Sequence, residues 1–209
     1  MRLKKVKGAE EKVNSSKYII EKPDYYKGKY NKLFNNNNEL HLEIGMGKGT
    51  FIINKALTNP NINYIGIEKY DSVIVRAVEK IENMEIPNLK LIRMDANNIE
   101  EIFDKEIDKI YLNFSDPWPK ERHAKRRLSS SEFLNKYNNI FKNKKIIQMK
   151  TDNRKLFEYS LKSFIENGYK IDDISLDLYN DDIKDNIPTE YEIKFSSLGQ
   201  TIYMVSVSK

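Results

Sequence analysis

From Leu40 onward, short apolar runs alternate with amphipathic stretches, a pattern typical of repeated βα units. Strands are predicted where apolar residues are continuous, and helices where they recur at helical spacing. Units of this kind place parallel strands in one sheet that is covered by helices on both faces. The five strands predicted in this part are Leu40 to Ile44, Tyr64 to Glu68, Leu89 to Arg93, Lys109 to Phe114 and Lys145 to Lys150.

Four helices are predicted between and after these strands. The third begins with a capping box from Ser129 to Glu132. The fourth runs from about Asn153 to Gly168, a residue type that favours the position just beyond a helix. The inward-facing apolar positions of the first three helices are Ile52, Ile53, Ala56, Leu57, then Val73, Ala77, Val78, Ile81, and then Phe133, Leu134, Tyr137, Ile140 and Phe141.

The alternation ends after Gly168. Two further extended stretches, Tyr169 to Leu178 and Gln200 to Val207, flank a polar loop that has no helical pattern. Strands joined in this way are expected to be antiparallel. The predicted fold class is therefore α/β, with a seven-stranded, mostly parallel sheet whose last strand is reversed.

The chain before Leu40 has a different character. It mixes Lys, Tyr and Asn and closes with Asn35 to Asn38, a run that favours a loop because Asn side chains compete for backbone hydrogen bonds. We interpret residues 1–38 as a basic, Tyr-rich arm and residues 39–209 as the main domain. A length of 209 residues suits one large domain better than two.

A glycine loop follows the first predicted strand, as Gly45-Met46-Gly47-Lys48-Gly49. In a sheet of this kind the loop lies at the carboxyl ends of the strands, where small ligands bind, and glycines let the backbone approach a ligand closely. The fingerprint for nicotinamide or flavin would require glycine at position 50, where Thr50 stands. The loop therefore favours a different ligand, with Gly45, Gly47 and Gly49 as its binding positions.

Acidic residues end three successive predicted strands beside this loop. Glu43 precedes the first glycine by two residues and suits a ligand with a sulfonium and an ammonium rather than a pyrophosphate. Glu68 lies where a carboxylate can accept ribose hydroxyls, and Asp95 lies with Ala96 where an adenine edge would be met. Any one of these acids could be a solvated strand end, but together they indicate S-adenosyl-L-methionine.

The fourth predicted strand leads into Ser115-Asp116-Pro117-Trp118-Pro119, where two prolines stiffen the turn around the only tryptophan. The following residues 120–127 hold five Lys or Arg in eight. If Pro119 begins a helix, then Arg122, Lys125 and Arg126 share a face suited to phosphates. The alternatives are a structural turn with a buried Trp and a solvated charged helix.

Composition agrees with a globular protein, with 39% hydrophobic and 32% charged residues, and a net charge of +5 favours a polyanionic partner. The absence of cysteine excludes disulfides and thiolate metal sites. His41 and His123 lack metal-ligand spacing, so no metal site is predicted. No apolar run approaches membrane length and residues 1–12 are polar, so the expected location is the cytoplasm.

Four motifs together resemble one family, the bacterial tRNA (guanine-N7)-methyltransferases that modify guanine 46 in the variable loop. The resemblance extends from Leu40 to Tyr203 and implies a Rossmann-like class I methyltransferase fold, S-adenosyl-L-methionine as cofactor and tRNA as partner. The glycine loop is common to most class I methyltransferases, whereas the others are more specific. The motifs are Leu42 to Gly49, Phe114 to Leu128, Lys150 to Asn153 and Thr189 to Phe195.

Roles follow from this resemblance position by position. It implies that Glu43, Glu68, Asp95 and Asp116 contact the methyl donor, with Asp116 also the catalytic residue. The substrate contacts implied are Lys120, Asp152, Thr189, Glu190, Tyr191 and Glu192, and the RNA contacts implied are Arg122, His123, Ala124, Lys125, Arg126 and Arg127.

Three other functions stay open at this point. The first is a class I methyltransferase acting on another RNA, a small molecule or a protein. The second is a non-catalytic RNA-binding module with a vestigial donor pocket. The third and weakest is a nicotinamide oxidoreductase, which Thr50 and Glu43 disfavour. The sequence leaves open whether the protein is a monomer or a homodimer.

Overall fold

A computed structural model describes residues 6–181, 183 and 186–209. Seven strands form one sheet in the order β3-β2-β1-β4-β5-β7-β6. All neighbours among β1 to β5 are parallel, whereas β7 is antiparallel to both β5 and β6. This confirms the predicted reversal of the last strand. The strands are β1 (Leu40–Ile44), β2 (Asn63–Glu68), β3 (Leu89–Arg93), β4 (Ile107–Asn113), β5 (Phe141–Thr151), β6 (Lys170–Ser175) and β7 (Tyr203–Ser208).

Four helices in the described residues were not predicted: α1 and α2 before β1, α5 after β3 and α8 before β7. The segment between β6 and β7 was expected to be a loop without helix, and that expectation was wrong. Glu190–Ser196 is too short for its periodicity to stand out, but it carries a full capping box between Thr189 and Glu192. The helices are α1 (Ala9–Asn14), α2 (Tyr30–Phe34), α3 (Thr50–Thr58), α4 (Asp71–Ile81), α5 (Ile99–Ile102), α6 (Ser131–Ile140), α7 (Arg154–Glu166) and α8 (Glu190–Ser196).

Three local predictions about helices need correction. Phe141 was expected on the inward face of the third helix, but α6 ends at Ile140 and Phe141 begins β5. Ser130, not Ser129, caps α6 by accepting a hydrogen bond from the Phe133 amide. The Ser129 hydroxyl instead pairs with Ser160 in the buried contact between α6 and α7. Leu57 was expected to face inward, yet it is 50% exposed because it lies on the solvent side of α3. The predicted cap of α7 at Asn153 is confirmed.

The sheet has a hydrophobic core on each face, which confirms the expected layers. On one face, α1, α3 and α4 pack around a cluster that includes Phe51, Ile74 and Leu91. On the other face, α5, α6 and α7 cover a larger cluster that includes Leu42 and Leu134. Within the described ranges, no helix is long and apolar enough to cross a membrane.

The segment before β1 wraps around the edge of the sheet at β3. Val13 is fully buried in the contact of α1 with α4, and Tyr30 is fully buried in the core of the opposite face. Between them, Ile19 forms a parallel bridge with Leu91. This segment therefore covers the backbone of an edge strand that would otherwise lack a partner.

Candidate active site

The strand order reverses between β1 and β4, so the loops that follow these two strands lie side by side. In open α/β sheets this switch point is where ligands bind. The loop after β1 is the glycine loop, and the loop after β4 is the Asp116 segment, defined here as residues 114–119. The two features that the sequence singled out separately therefore belong to one site.

All three glycines of the loop have positive φ, but their surroundings differ. A Cβ added to Gly45 or Gly47 would meet no atom within 4 Å, so the backbone there borders open space. At Gly49 an added Cβ would lie 2.8 Å from the Ala77 Cβ of α4. Gly45 and Gly47 therefore suit a closely bound ligand, while Gly49 permits α3 to pack against α4.

Glu43, at the end of β1, is almost completely buried, with 1% exposure. Asn113 donates to its Oε1 at 2.8 Å, whereas Oε2 has no regular hydrogen-bond partner among the described residues. The nearby Ile52 amide, one of the free N–H groups at the start of α3, helps to favour the charged form. Burial outweighs these contacts and raises the pKa of Glu43 to about 8.

Glu68 and Asp95 lie at the ends of the next two strands and are held by backbone amides. Glu68 accepts from the amides of Gly47 at 3.1 Å and Lys69 at 2.8 Å, and burial raises its pKa. Asp95 accepts from Lys69 Nζ at 2.6 Å, a contact that lowers its pKa, and from the Asn97 amide at 2.9 Å. The short 3₁₀ turn that starts at Ala96 follows directly.

The Asp116 segment is a strained and strongly braced turn. Phe114 and Trp118 both have positive φ, which costs a non-glycine residue of order 1 kcal/mol. Arg127 compensates by donating to the carbonyls of Pro117 and Trp118, each at 3.1 Å. Asp116 itself is exposed, and its charge is close enough to contribute to the raised pKa of Glu68.

The basic run forms a 3₁₀ helix at Glu121–Arg126, where an α-helical face was predicted. Because residues three apart align in a 3₁₀ helix, Arg122 and Lys125 share a side, but Arg126 is rotated away. The Arg126 guanidinium lies 4.9 Å from the Trp118 ring centre. These three cations are exposed, whereas Arg127 is buried and faces the protein, and His123 and Ala124 are half-buried.

The first turn of α8 packs beside the Asp116 segment. The Tyr191 hydroxyl donates to Asp152 Oδ2 at 3.0 Å, and its ring lies 5.0 Å from that of Phe114. Glu192 is fully buried and pairs with Lys150, whose pKa is lowered by burial. Tyr191 and Asp152 thus meet beside the Asp116 segment, while Glu192 anchors the helix. Lys120, which directly follows the Asp116 segment, is exposed.

Sequence reasoning missed several residues that shape the site. Asn113, which holds Glu43, had been read only as a strand residue. Lys150 appeared only within a motif, although its ammonium also donates to the Ile187 carbonyl at 2.9 Å. Lys80 on α4 had no signal at all, because its partners are far away along the chain.

Comparison with known proteins agrees with this geometry. The family described as "Putative methyltransferase" matches residues 37–205. Among solved structures, an antibiotic-related methyltransferase superposes with a TM-score of 0.64 over 87% of this chain and 92% of its own, at 18% identity. The 16S rRNA methyltransferase KamB gives 0.63 over the same shares, at 14% identity. The fold is thus that of the class I methyltransferases.

Curated relatives narrow the class further. A tRNA (guanine-N(7)-)-methyltransferase of Lachnoclostridium phytofermentans is 50% identical over 97% of this chain and 96% of its own length. The Bacillus subtilis protein of the same name is 53% identical over 90% of this chain and 89% of its own. The chain belongs to the tRNA (guanine-N7)-methyltransferase family.

Proposed function

We propose that this protein transfers the methyl group of S-adenosyl-L-methionine to N7 of guanine 46 in the variable loop of tRNA. The observation that carries the proposal is the meeting, at one switch point, of the glycine loop with the Asp116 segment. Family membership supports the tRNA substrate and the guanine N7 position. The activity would place the protein with tRNA in the cytoplasm.

The residues of the donor site fit the proposed cofactor. Among the residues that the structure describes, Oε2 of Glu43 is buried with no regular hydrogen-bond partner, and the backbone at Gly45 and Gly47 borders open space. A buried carboxylate next to open space suits a cationic ligand, because the cation would offset the cost of burying the negative charge. Glu68 would hold the ribose, and Asp95 with Ala96 would meet the adenine.

When bound, S-adenosyl-L-methionine would supply a methyl group on a cationic sulfonium: the guanine N7 lone pair forms a bond to the methyl carbon as the carbon–sulfur bond breaks, and the sulfur leaves as a neutral thioether. Guanine N7 carries no proton, so this chain needs no general base for the transfer. The work of the protein is to align the two reactants, which is a large share of the acceleration in such reactions. The braced turn of the Asp116 segment suits this task of alignment.

Asp116 is the proposed catalytic residue. The purine becomes cationic as N7 is alkylated, and a fixed carboxylate stabilises that change. Asp116 would also accept hydrogen bonds from guanine N1 and N2, which would orient N7. The brace from Arg127 to the Pro117 and Trp118 carbonyls holds the turn in place for this role.

The tRNA would be held by the exposed cations of the 3₁₀ helix. Arg122 and Lys125 face the same side, and Arg126 lies against Trp118, so that ring and guanidinium form one unit. Such a unit suits a nucleotide, because the ring can contact a base while the cation contacts a phosphate. Tyr191, which is 41% exposed, offers a second ring beside Asp152.

Mapping of modified nucleosides tests this function directly. Unmodified tRNA would be incubated with the protein and methyl-labelled donor, then digested and analysed by mass spectrometry. We expect 7-methylguanosine from the variable loop alone. Label at another guanine atom, in another RNA or in no RNA would contradict the proposal and favour a different class I methyltransferase activity.

A further inference from the structure

Glu190, the first residue of α8, connects two sides of the site. The donor side is the glycine loop, and the acceptor side is formed by the Asp116 segment with Asp152 and Tyr191. Glu190 Oε1 accepts a hydrogen bond from the Thr50 hydroxyl at 3.0 Å and one from Lys80 Nζ. Its Oε2 lies 3.3 Å from Lys48 Nζ. Lys48 and Thr50 flank Gly49, so this carboxylate contacts the loop that would carry the methyl donor.

Lys80 completes the connection from a third part of the chain. Its ammonium donates to the Lys48 carbonyl at 2.9 Å and to the Thr50 hydroxyl at 2.6 Å, as well as to Glu190. Together these contacts fill the donor capacity of one ammonium. Lys80 therefore fixes the glycine loop and the start of α8 to the same point on α4. We call Lys48, Thr50, Lys80 and Glu190 the α8 latch.

The two residues after Glu190 face other parts of the site. Tyr191 reaches Asp152, and Glu192 is buried against Lys150 at the end of β5. One helical turn thus contacts the donor loop, the acceptor side and the sheet through three consecutive side chains. A displacement of α8 would change the distance between the donor loop and the residues proposed to hold guanine.

We propose that Glu190 is a positioning residue, which acts through the α8 latch to hold the acceptor side of the site in line with the methyl donor. This inference rests on the proposed function. Both oxygens of Glu190 already contact latch residues, so this role does not need the contact between Glu190 and guanine that the family resemblance implied. The latch lies at the surface, with the Lys80 side chain 34% and the Glu190 side chain 42% exposed, but it differs from a single ion pair because two separate segments, the glycine loop and α4, contact one carboxylate.

Substitution of Lys80 by Met tests the latch without changing Glu190. In-line transfer is sensitive to small displacements, so we expect Lys80→Met to lower kcat about tenfold or more. The KM values for tRNA and for donor should change less than about threefold, because the residues proposed to bind each of them remain. Arg76→Met is the matched control, since Arg76 forms a 2.8 Å ion pair with Glu79 on the same helix.

Hydrogen exchange supplies a readout that does not depend on activity. In the donor-free protein, amides of residues 190–196 should exchange faster in Lys80→Met than in wild type, and Arg76→Met should match wild type. Unchanged exchange, or a raised donor KM with normal kcat, would overturn the positioning role. Global unfolding is detected by the melting temperature of each variant.

A double-mutant cycle tests whether Glu190 and Lys80 act through their contact with each other. Glu190→Gln and Lys80→Met should be non-additive, with the double variant losing about as much kcat as Lys80→Met alone. Full additivity would show that the two residues act separately and would refute the latch. If wild type itself fails to methylate tRNA, the proposed function fails instead, while the exchange experiment still tests the contact.

Discussion

A buried carboxylate that lacks a full set of partners is costly, and Glu43 is such a group. Among the described residues it receives a regular hydrogen bond only from Asn113, although the Ile52 amide lies close to it. In the free protein its raised pKa, about 8, keeps much of the population protonated near neutral pH. A cation bound next to Glu43 would stabilise the ionised carboxylate and so offset the free-energy cost of burying its charge. The site therefore favours a sulfonium ligand over an uncharged one.

Glu43→Gln should alter how stability depends on pH. Between about 4.5 and about 8, the folded protein holds a proton on Glu43 that the unfolded chain has lost. Wild-type stability therefore falls as pH rises, by at most about 1.4 kcal/mol per pH unit from this group. Glutamine does not titrate, so the variant should gain stability relative to wild type over this window.

Denaturant unfolding of both proteins at several pH values measures this difference. A difference that stays constant from acid to pH 8 would mean that the pKa of Glu43 is the same in the folded and unfolded protein, and this would contradict the prediction. Subtraction of the two curves removes the other titrating groups, which wild type and variant share.

Asp116→Ala should lower methyl transfer to tRNA sharply, by roughly a hundredfold, because fixed charge beside a developing cation is lost. Donor binding should stay measurable by calorimetry, since Glu43 and Glu68 remain. Glu166→Ala removes an exposed carboxylate at the far end of α7 and serves as the control. Wild-type turnover in Asp116→Ala would eliminate the catalytic role.

At the level of elements, the site depends on how closely α3 and α4 approach. Gly49 begins this contact as the residue before α3, with φ of 76°. Its missing Cβ leaves room for Ala77 on the neighbouring helix. The same approach brings Lys80 within reach of Thr50, so the packing of two helices also sets up the α8 latch.

Gly49→Ala should lower the free energy of unfolding by roughly 2–4 kcal/mol, from backbone strain together with overpacking. Gly199→Ala is the control, because Gly199 has a similar φ of 78° with no atom near an added Cβ. It should cost only about 1 kcal/mol. Equal losses in the two variants would show that the Ala77 contact is unimportant. In the double variant Gly49→Ala/Ala77→Gly, the loss of stability should be smaller than the sum of the losses in the two single variants.

On the scale of the whole molecule, exposed cations lie near both ends of the sheet. The net charge is +5, so RNA will be attracted to more than one surface. What distinguishes the 3₁₀ helix is its position beside Asp116 at the carboxyl ends of the strands. Lys142, Lys144 and Lys145 lie at the start of β5, toward the opposite end.

Removal of Arg122, Lys125 and Arg126 by alanine should weaken tRNA binding and flatten its salt dependence. Each phosphate contact contributes about 0.7 to the slope of log K against log salt, so the triple variant should lose about 2. Alanine at Lys142, Lys144 and Lys145 removes the same charge and should leave most of the slope intact. An unchanged slope in the first variant would count against the 3₁₀ helix as the RNA-binding surface.

Local pattern was sufficient for the framework of the protein. The apolar runs predicted β1 and β3 at their observed bounds, and the glycines predicted the turn after β1. These features depend on neighbouring residues, whose spacing is visible in the sequence. The family resemblance added the specific motifs, which local pattern alone could not assign to a substrate.

Only the tertiary structure decided how these pieces meet. The seven-residue helix α8 is too short to be stable alone, and it is held by Glu192 against Lys150 and by Glu190 against Lys80. Arg127, indistinguishable in sequence from the other cations of its run, turns inward to brace the Trp118 turn. Such contacts join residues far apart along the chain, so local periodicity does not predict them. The sequence by itself therefore determined the layers and the ligand loop, whereas packing determined which side chains support the site and which face solvent.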